Sequence, residues 1–325
     1  MVTVSTQASK ENGGDHSFCG GSIIGSSWVL TAAHCVVKSR NVKVPNTISA
    51  ESVMVVRSAA QNNVSTSQLP YNIRSPDFMM VSYGSNSKKK MKSVQVKSVH
   101  VPGAYIDSEY SGDFALLELS TPLEFDDDVK PIRISSTFIS SNMSVTAAGY
   151  GSTKQNGYSP SEKLKLVKLK TGNRNVCSQH RDGFTDNNSE VICCPTFESS
   201  DTCFGDSGGP LLAATLGTQF TSSDNNNITT NSKYYENEWV LLGLTSYGNS
   251  ISNNFVCASE DGAGFYTNVD YYSHLISKIS GIPRSQLLSN ESFQEFDIRI
   301  ASKSAQTLLD QRILLLAILA SLFYF

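Results

Sequence analysis

A serine framed by glycines, a histidine behind two alanines and an aspartate heading an apolar run are the residues of this chain suited to covalent chemistry. The serine is Ser207, in Cys203-Phe204-Gly205-Asp206-Ser207-Gly208-Gly209-Pro210. Glycines on both sides allow a strained turn that exposes a nucleophile. A serine hydroxyl is weak at neutral pH, so it needs a neutral imidazole to take its proton and a third group to hold that imidazole's tautomer. His34, in Leu30-Thr31-Ala32-Ala33-His34-Cys35, and Asp113, at the head of Asp113-Phe114-Ala115-Leu116-Leu117-Glu118-Leu119, supply those types. Together they could perform acyl transfer through a covalent ester, with no cofactor and no metal.

Such residues are far apart in the chain, so a rigid scaffold must bring them together. Short β-branched or alternating runs recur between turn clusters: Val53 to Val56, Met79 to Tyr83, Val94 to Val96, Phe114 to Leu119, Leu164 to Leu169 and Trp239 to Leu244. These read as strands. Asp270 to Ile279 alone has helical spacing, with Tyr271, Leu275 and Ile279 four apart, before Gly281 and Pro283 end it. Many short strands with one late helix predict an all-β sandwich or barrel. Polar stretches at about 38–75 and 217–238 are expected to be solvent-facing loops, since they cannot bury enough surface to offset the entropy of ordering.

The three segments, in the chain order His34, Asp113, Ser207, resemble the trypsin/chymotrypsin family of serine endopeptidases, and that order differs from those of the α/β-hydrolases and the subtilisins. The resemblance runs roughly from Val2 to Ile279. It implies two six-stranded antiparallel barrels, about 1–125 and 126–281, with the active site between them and a terminal helix closing the second. Residues 282–325 are then a linker and apolar tail.

The same resemblance implies further roles. The backbone N–H groups of Gly205 and Ser207 form the oxyanion hole, and Ser246 supports Asp113. Asp201, six residues before the nucleophile, forms the pocket floor, with Gly248 and Gly264 as its small walls. The substrate is thus a polypeptide with Arg or Lys before the cut bond, and a protein inhibitor is a further expected partner. Asp206 is the family's partner for a newly exposed terminal ammonium. Cys19 falls too close to Met1 for an Ile-Val-Gly-Gly start, so an N-terminally truncated chain is expected. The implied disulfides are Cys19–Cys35, Cys203–Cys257, and Cys177 with Cys193 or Cys194. Tyr247 and Tyr150 stand where the family usually has tryptophan. A rival reading is a catalytically inactive binding or adhesion protein on the cell surface.

Composition bears on compartment and partners. The formal net charge of −3 over 325 residues gives no electrostatic case for nucleic acid, and Lys88-Lys89-Lys90 reads as a solvated loop. Seven cysteines without metal-ligand spacing favour disulfides in an oxidising compartment. Five N-x-S/T acceptors, at Asn63, Asn142, Asn187, Asn227 and Asn290, fit a glycoprotein. Residues 1–14 lack the apolar core of a secretory signal. Ile313 to Phe325 is too short to span a membrane comfortably, but with small residues Ala301, Ser302 and Ser304 and a polar spacer it matches a lipid-anchor signal. The expected location is secreted or on the outer cell surface.

Overall fold

Among the described residues, twelve strands of two larger sheets make two barrels that pack against each other. The computed structural model describes residues 1–6, 17–39, 52–57, 71–154, 159–215, 238–252 and 256–289. The first sheet comprises β1 (Val2–Thr6), β2 (Ser17–Gly25), β3 (Trp28–Thr31), β4 (Met79–Tyr83), β5 (Lys92–Pro102) and β6 (Ala115–Leu119). Its antiparallel order β5-β4-β1-β2-β3-β6 closes because β6 pairs back onto β5, making a six-stranded barrel. Closure leaves no open edge within the ring.

The second sheet comprises β7 (Ser144–Gly149), β8 (Lys165–Lys170), β9 (Val191–Pro195), β10 (Pro210–Thr215), β11 (Glu238–Ser250) and β12 (Gly262–Asn268). It runs β8-β7-β10-β11-β12-β9 and curls without a closing ladder. The gap between β8 and β9 is bridged just past β8 by Gly172 N–H donating to the Cys193 carbonyl at 2.8 Å. Both barrels belong to one unit, Met1–Glu291.

Strand pattern explains how the barrels join. In β3 and β6 both faces are buried, so they read as continuous apolar runs rather than alternating ones. Val29, Ala115 and Leu117 point into the first barrel's core, whereas Leu30 and Leu116 pack with Leu212, Leu241 and Leu244 of the second sheet. Ile276 of the helix Ser273–Ser280 joins that shared core. At roughly 25 cal/mol per Å² of apolar surface, such burial fixes the relation of the two halves far more firmly than polar contacts could.

Two expectations need correction. The stretch 38–75 is not all loop: the strand read at Val53 to Val56 is present as Val53–Arg57 and pairs along β5, because its Val-Met-Val-Val run suits a pleated, half-buried surface. The helix starts at Ser273, later than the spacing suggests, because Asn268 Oδ1 accepts the Asp270 and Tyr271 N–H groups and holds them in a preceding turn. Tyr271 therefore faces solvent and Tyr272 is buried. Gly281, at φ 71°, ends the helix in the left-handed region as expected of a C′ glycine. Among the described residues no helix is long and apolar enough to cross a membrane. The 217–237 insert, Asn63, Asn227 and Asn290, and the apolar tail lie outside the described residues.

Candidate active site

His34 sits in a single helical turn, Ala33–Cys35, that follows β3 after the extended residue Ala32. The Cys19–Cys35 disulfide fastens that turn to β2. Asp113 lies at the mouth of β6 and is fully buried. One carboxylate oxygen accepts the His34 backbone N–H at 2.9 Å, and the other lies 2.8 Å from His34 Nδ1 and also accepts the Ser246 hydroxyl. Thr267 Oγ1 donates to the Asp113 carbonyl at 2.8 Å.

Ser246 reaches inward because it is an extra residue in β11. The register passes from Thr245 opposite Tyr266 to Tyr247 opposite Phe265, leaving Ser246 unpaired in a bulge. Bulges of this kind re-aim a side chain next to a site. With Nδ1–H held by the carboxylate, Nε2 of His34 is left to accept a proton. Burial opposes charge on the imidazole, but the attraction and hydrogen bond of Asp113 outweigh it and raise the His34 pKa. Burial likewise opposes charge on Asp113, and His34 and Ser246 overcome it, keeping the carboxyl below its usual range.

The Ser207 turn is built from glycines at close approach. Gly205 has φ 94°, and Cys203 O accepts the Asp206 N–H at 2.9 Å, the pattern of a type II turn with glycine third. Asp206 accepts from Cys203 N–H at 2.9 Å and Gly151 N–H at 2.8 Å, which fixes the turn from below. Gly20 N–H of β2 donates to the Ser207 carbonyl at 2.7 Å, and Gly208 N–H to the Thr245 carbonyl at 2.7 Å. A Cβ on Gly208 would lie 2.9 Å from Ala32 N, so the serine turn presses on the segment leading into His34. No hydrogen bond joins Ser207 Oγ to the His34 ring; the Nε2 contact is Cys35 Sγ at 3.9 Å. Nucleophile–base bonds are often loose without substrate and tighten in the complex.

Asp201 is partly buried and accepts the Thr202 N–H at 2.7 Å. Burial, helped by the charge of Asp206 and resisted by backbone N–H bonds, pushes its carboxyl up to about 6. Gly264 faces it: a Cβ there would stand 2.9 Å from Asp201 Oδ1. Gly248 is the cross-strand partner of Gly264. Asp201 and Asp206 both line a cavity of about 310 Å³, with Gly149, Gly151 and Lys165 on its other sides.

The disulfides are Cys19–Cys35, Cys177–Cys193 and Cys203–Cys257. Cys194 remains a free thiol, and burial pushes its pKa well above the ordinary range.

Comparison with known proteins agrees with this geometry. The family model described as Trypsin matches residues 2–87 and 73–276, most of the chain. The chain belongs to the trypsin family. That family is one of trypsin-like serine proteases, and the chain has its fold. Its sequence is 26% identical over 279 residues to Transmembrane protease serine 11G of Rattus norvegicus, covering 85% of this chain and 52% of that protein. It is 28% identical over 253 residues to Kallikrein-1 of Mus musculus, covering 77% and 76%. Neuropsin, a serine protease expressed in the limbic system of mouse brain, shares the fold at a TM-score of 0.56 and 20% identity, over 86% of this chain and 93% of that one. The chain spans about half the length of the transmembrane relatives it matches.

Sequence reasoning did not single out Thr267, Tyr110, Arg181 or Glu190, which surround the site. None of them carries a local sequence signal. The acceptor motif at Asn187 does not serve a sugar in the folded protein: its side chain is buried, donating to the Gly172 carbonyl at 2.9 Å and accepting Cys193 N–H at 3.0 Å.

Proposed function

We propose that this protein is a serine endopeptidase that hydrolyses polypeptides after Arg or Lys. The observation that carries the reading is the doubly held histidine: buried Asp113 grips both the ring and the backbone of His34, which leaves Nε2 directed to proton transfer. Ser207 Oγ attacks the scissile carbonyl carbon while His34 Nε2 takes its proton. The Gly205 and Ser207 N–H groups stabilise the oxyanion, each donor being worth about 3 kcal/mol in such sites. His34 then protonates the departing amine, leaving an acyl ester on Ser207. Water, deprotonated by His34, attacks that ester; the acid leaves and Ser207 regains its proton.

Specificity follows from Asp201 between Gly248 and Gly264. A buried carboxylate without a partner is costly, so a substrate bringing a cation is favoured over one that does not. Asp206 is assigned the pairing with a terminal ammonium in the activated form. The cysteine pairing and the transmembrane relatives support a secreted or cell-surface protein; glycosylation, attachment through the C-terminal tail and a protein inhibitor as partner belong to the same proposal. Hydrolysis of an arginine ester, abolished in Ser207→Ala, tests the reading; a folded, processed protein that turns over no such ester refutes it.

One observation favours the inactive binding reading. Among the described residues no cation stands within ion-pair distance of Asp206. Covalent labelling of Ser207 by a fluorophosphonate decides against that alternative.

A further inference from the structure

Asp206 is a half-buried carboxylate whose charge has only neutral partners. Burial lifts its pKa against the pull of the Cys203 and Gly151 N–H groups. Those two donors offset part of the desolvation but bring no opposite charge. The nucleophile's own turn rests on this residue. One carboxylate oxygen holds Cys203 N–H and the other Gly151 N–H, while the Asp206 N–H donates to the Cys203 carbonyl and its carbonyl accepts the Gly209 N–H at 2.8 Å. Ser207 lies between those anchors.

Two glycines set where the carboxylate sits. A Cβ on Gly149 would fall on Asp206 Oδ1, and one on Gly151 would stand 2.6 Å from both oxygens, so the acid fills the space that side chains there would occupy. Gly149 ends β7, and its cross-strand partner on β8 is Lys165. Directly opposed residues project to the same face, with Cβ positions about 5 Å apart. Alternation along β8 identifies that face as the inner one: Leu169 is buried and Val167 half-buried, whereas Leu166 and Lys168 are exposed. Lys165 therefore starts on the inner face and lines the same cavity of about 310 Å³ as Asp206. Among the described residues no carboxylate stands within ion-pair distance of its ammonium. Its flexible four-carbon stem can close the remaining gap by rotamer changes, with no movement of the backbone.

We propose that Lys165 is a positioning residue: its ammonium turns into the cavity, pairs with Asp206 and fixes the Ser207 turn independently of any terminal ammonium. This rests on the protease reading above, and it answers the one observation that favours an inactive protein. A terminal ammonium reaching Asp206 takes over the same place, so the two cations are alternatives at one carboxylate. Asp201 is the competing acid in the cavity. Asp206 is favoured because it occupies the position directly opposite Lys165 on the ladder.

The test compares the full chain with Lys165→Arg, Lys165→Gln, Lys165→Ala, Asp206→Asn and the double variant Lys165→Gln/Asp206→Asn; Lys168→Gln on the outer face of the same strand is the control. Hydrolysis of an arginine ester and the rate of fluorophosphonate labelling report on the Ser207 turn, and thermal unfolding reports on the fold. In Lys165→Gln, kcat and the labelling rate are expected to fall roughly tenfold, as for loss of one charge-assisted hydrogen bond, with KM within about threefold of wild type. Lys165→Arg keeps most of the rate, Lys168→Gln matches wild type, and the double variant is no slower than Asp206→Asn alone. Added n-propylammonium restores part of the rate to Lys165→Ala, saturably, and n-propanol does not; a lysine that merely packs would show no such difference. Unchanged rates in Lys165→Gln, absence of rescue, or a lowered KM with unaltered kcat, the mark of a lysine paired with Asp201, overturn the proposal. If the unaltered chain neither labels nor turns over the ester, the protease reading fails instead. The pairing is then judged by unfolding, where coupled shifts in the double variant uphold it and additive ones refute it.

Discussion

The ionisation of Asp201 offers the sharpest test of how the pocket works. Its carboxyl titrates near 6 because burial penalises the charge more than the backbone N–H bonds favour it. A cationic ligand needs the carboxylate. With a pKa of about 6, nearly all of it is ionised at pH 8 and about a tenth at pH 5. Affinity for an aromatic amidine, which stays cationic throughout, is then expected to fall roughly tenfold between those values, about 1.4 kcal/mol. Calorimetric titration of Ser207→Ala measures this without catalysis, so proton transfer at His34 does not enter the signal. Asp201→Asn supplies the contrast: weak binding, nearly flat with pH. The linkage sign also follows. A carboxyl whose folded pKa lies above its unfolded value costs stability increasingly as pH rises from about 4 through about 6, so Asp201→Asn should melt higher than wild type at pH 8 and not at pH 3.5. Amidine affinity independent of pH between 5 and 8, or unchanged pH dependence in Asp201→Asn, would refute the assignment.

Three further outcomes are expected. Asp113→Asn confronts three donors, two from His34 and the Ser246 hydroxyl, with an amide that has a single acceptor oxygen, so kcat/KM should drop by at least ~100-fold; an unchanged rate removes Asp113 from the mechanism. Because Asp113 raises the His34 pKa and the base must be neutral, kcat/KM for an arginine ester should decline as pH falls through a midpoint above 6.5, read from the pH–rate profile at low substrate concentration. After secretory expression, mass spectrometry should find glycan at exposed Asn142 and none at buried Asn187; Asn187→Gln should instead lower the melting temperature.

Much of the site was legible because its chemistry is local. The glycines around Ser207, the cysteine beside His34 and the apolar run after Asp113 each reflect a constraint acting within a few residues. Gly264 was legible only through the family resemblance, since the group that any side chain there would meet, Asp201, is distant in sequence. Arg181 and Glu190 were not, because neither carries a local signal; their meaning arises only when Glu109, Ser111 and Tyr247, up to 72 residues from Arg181, converge on them. The choice between Cys193 and Cys194 was equally closed to spacing. Strand alternation decides it: Cys193 points to the face where Cys177, Phe184 and Phe265 pack, and Cys194 to the other. Helix spacing misled at Tyr271 because a side-chain acceptor, Asn268, delays the first turn.

The two barrels hold each other's reactive groups. Ser207 is rooted in the second but anchored by Gly20 of the first, while Asp113 is rooted in the first but tethered by Ser246 and Thr267 of the second. Cutting the chain between the halves would strip each fragment of the grip its own group needs. On the protease reading proposed above, catalytic competence is thus a property of the seam, and a hinge opening there would silence the molecule before either half began to melt.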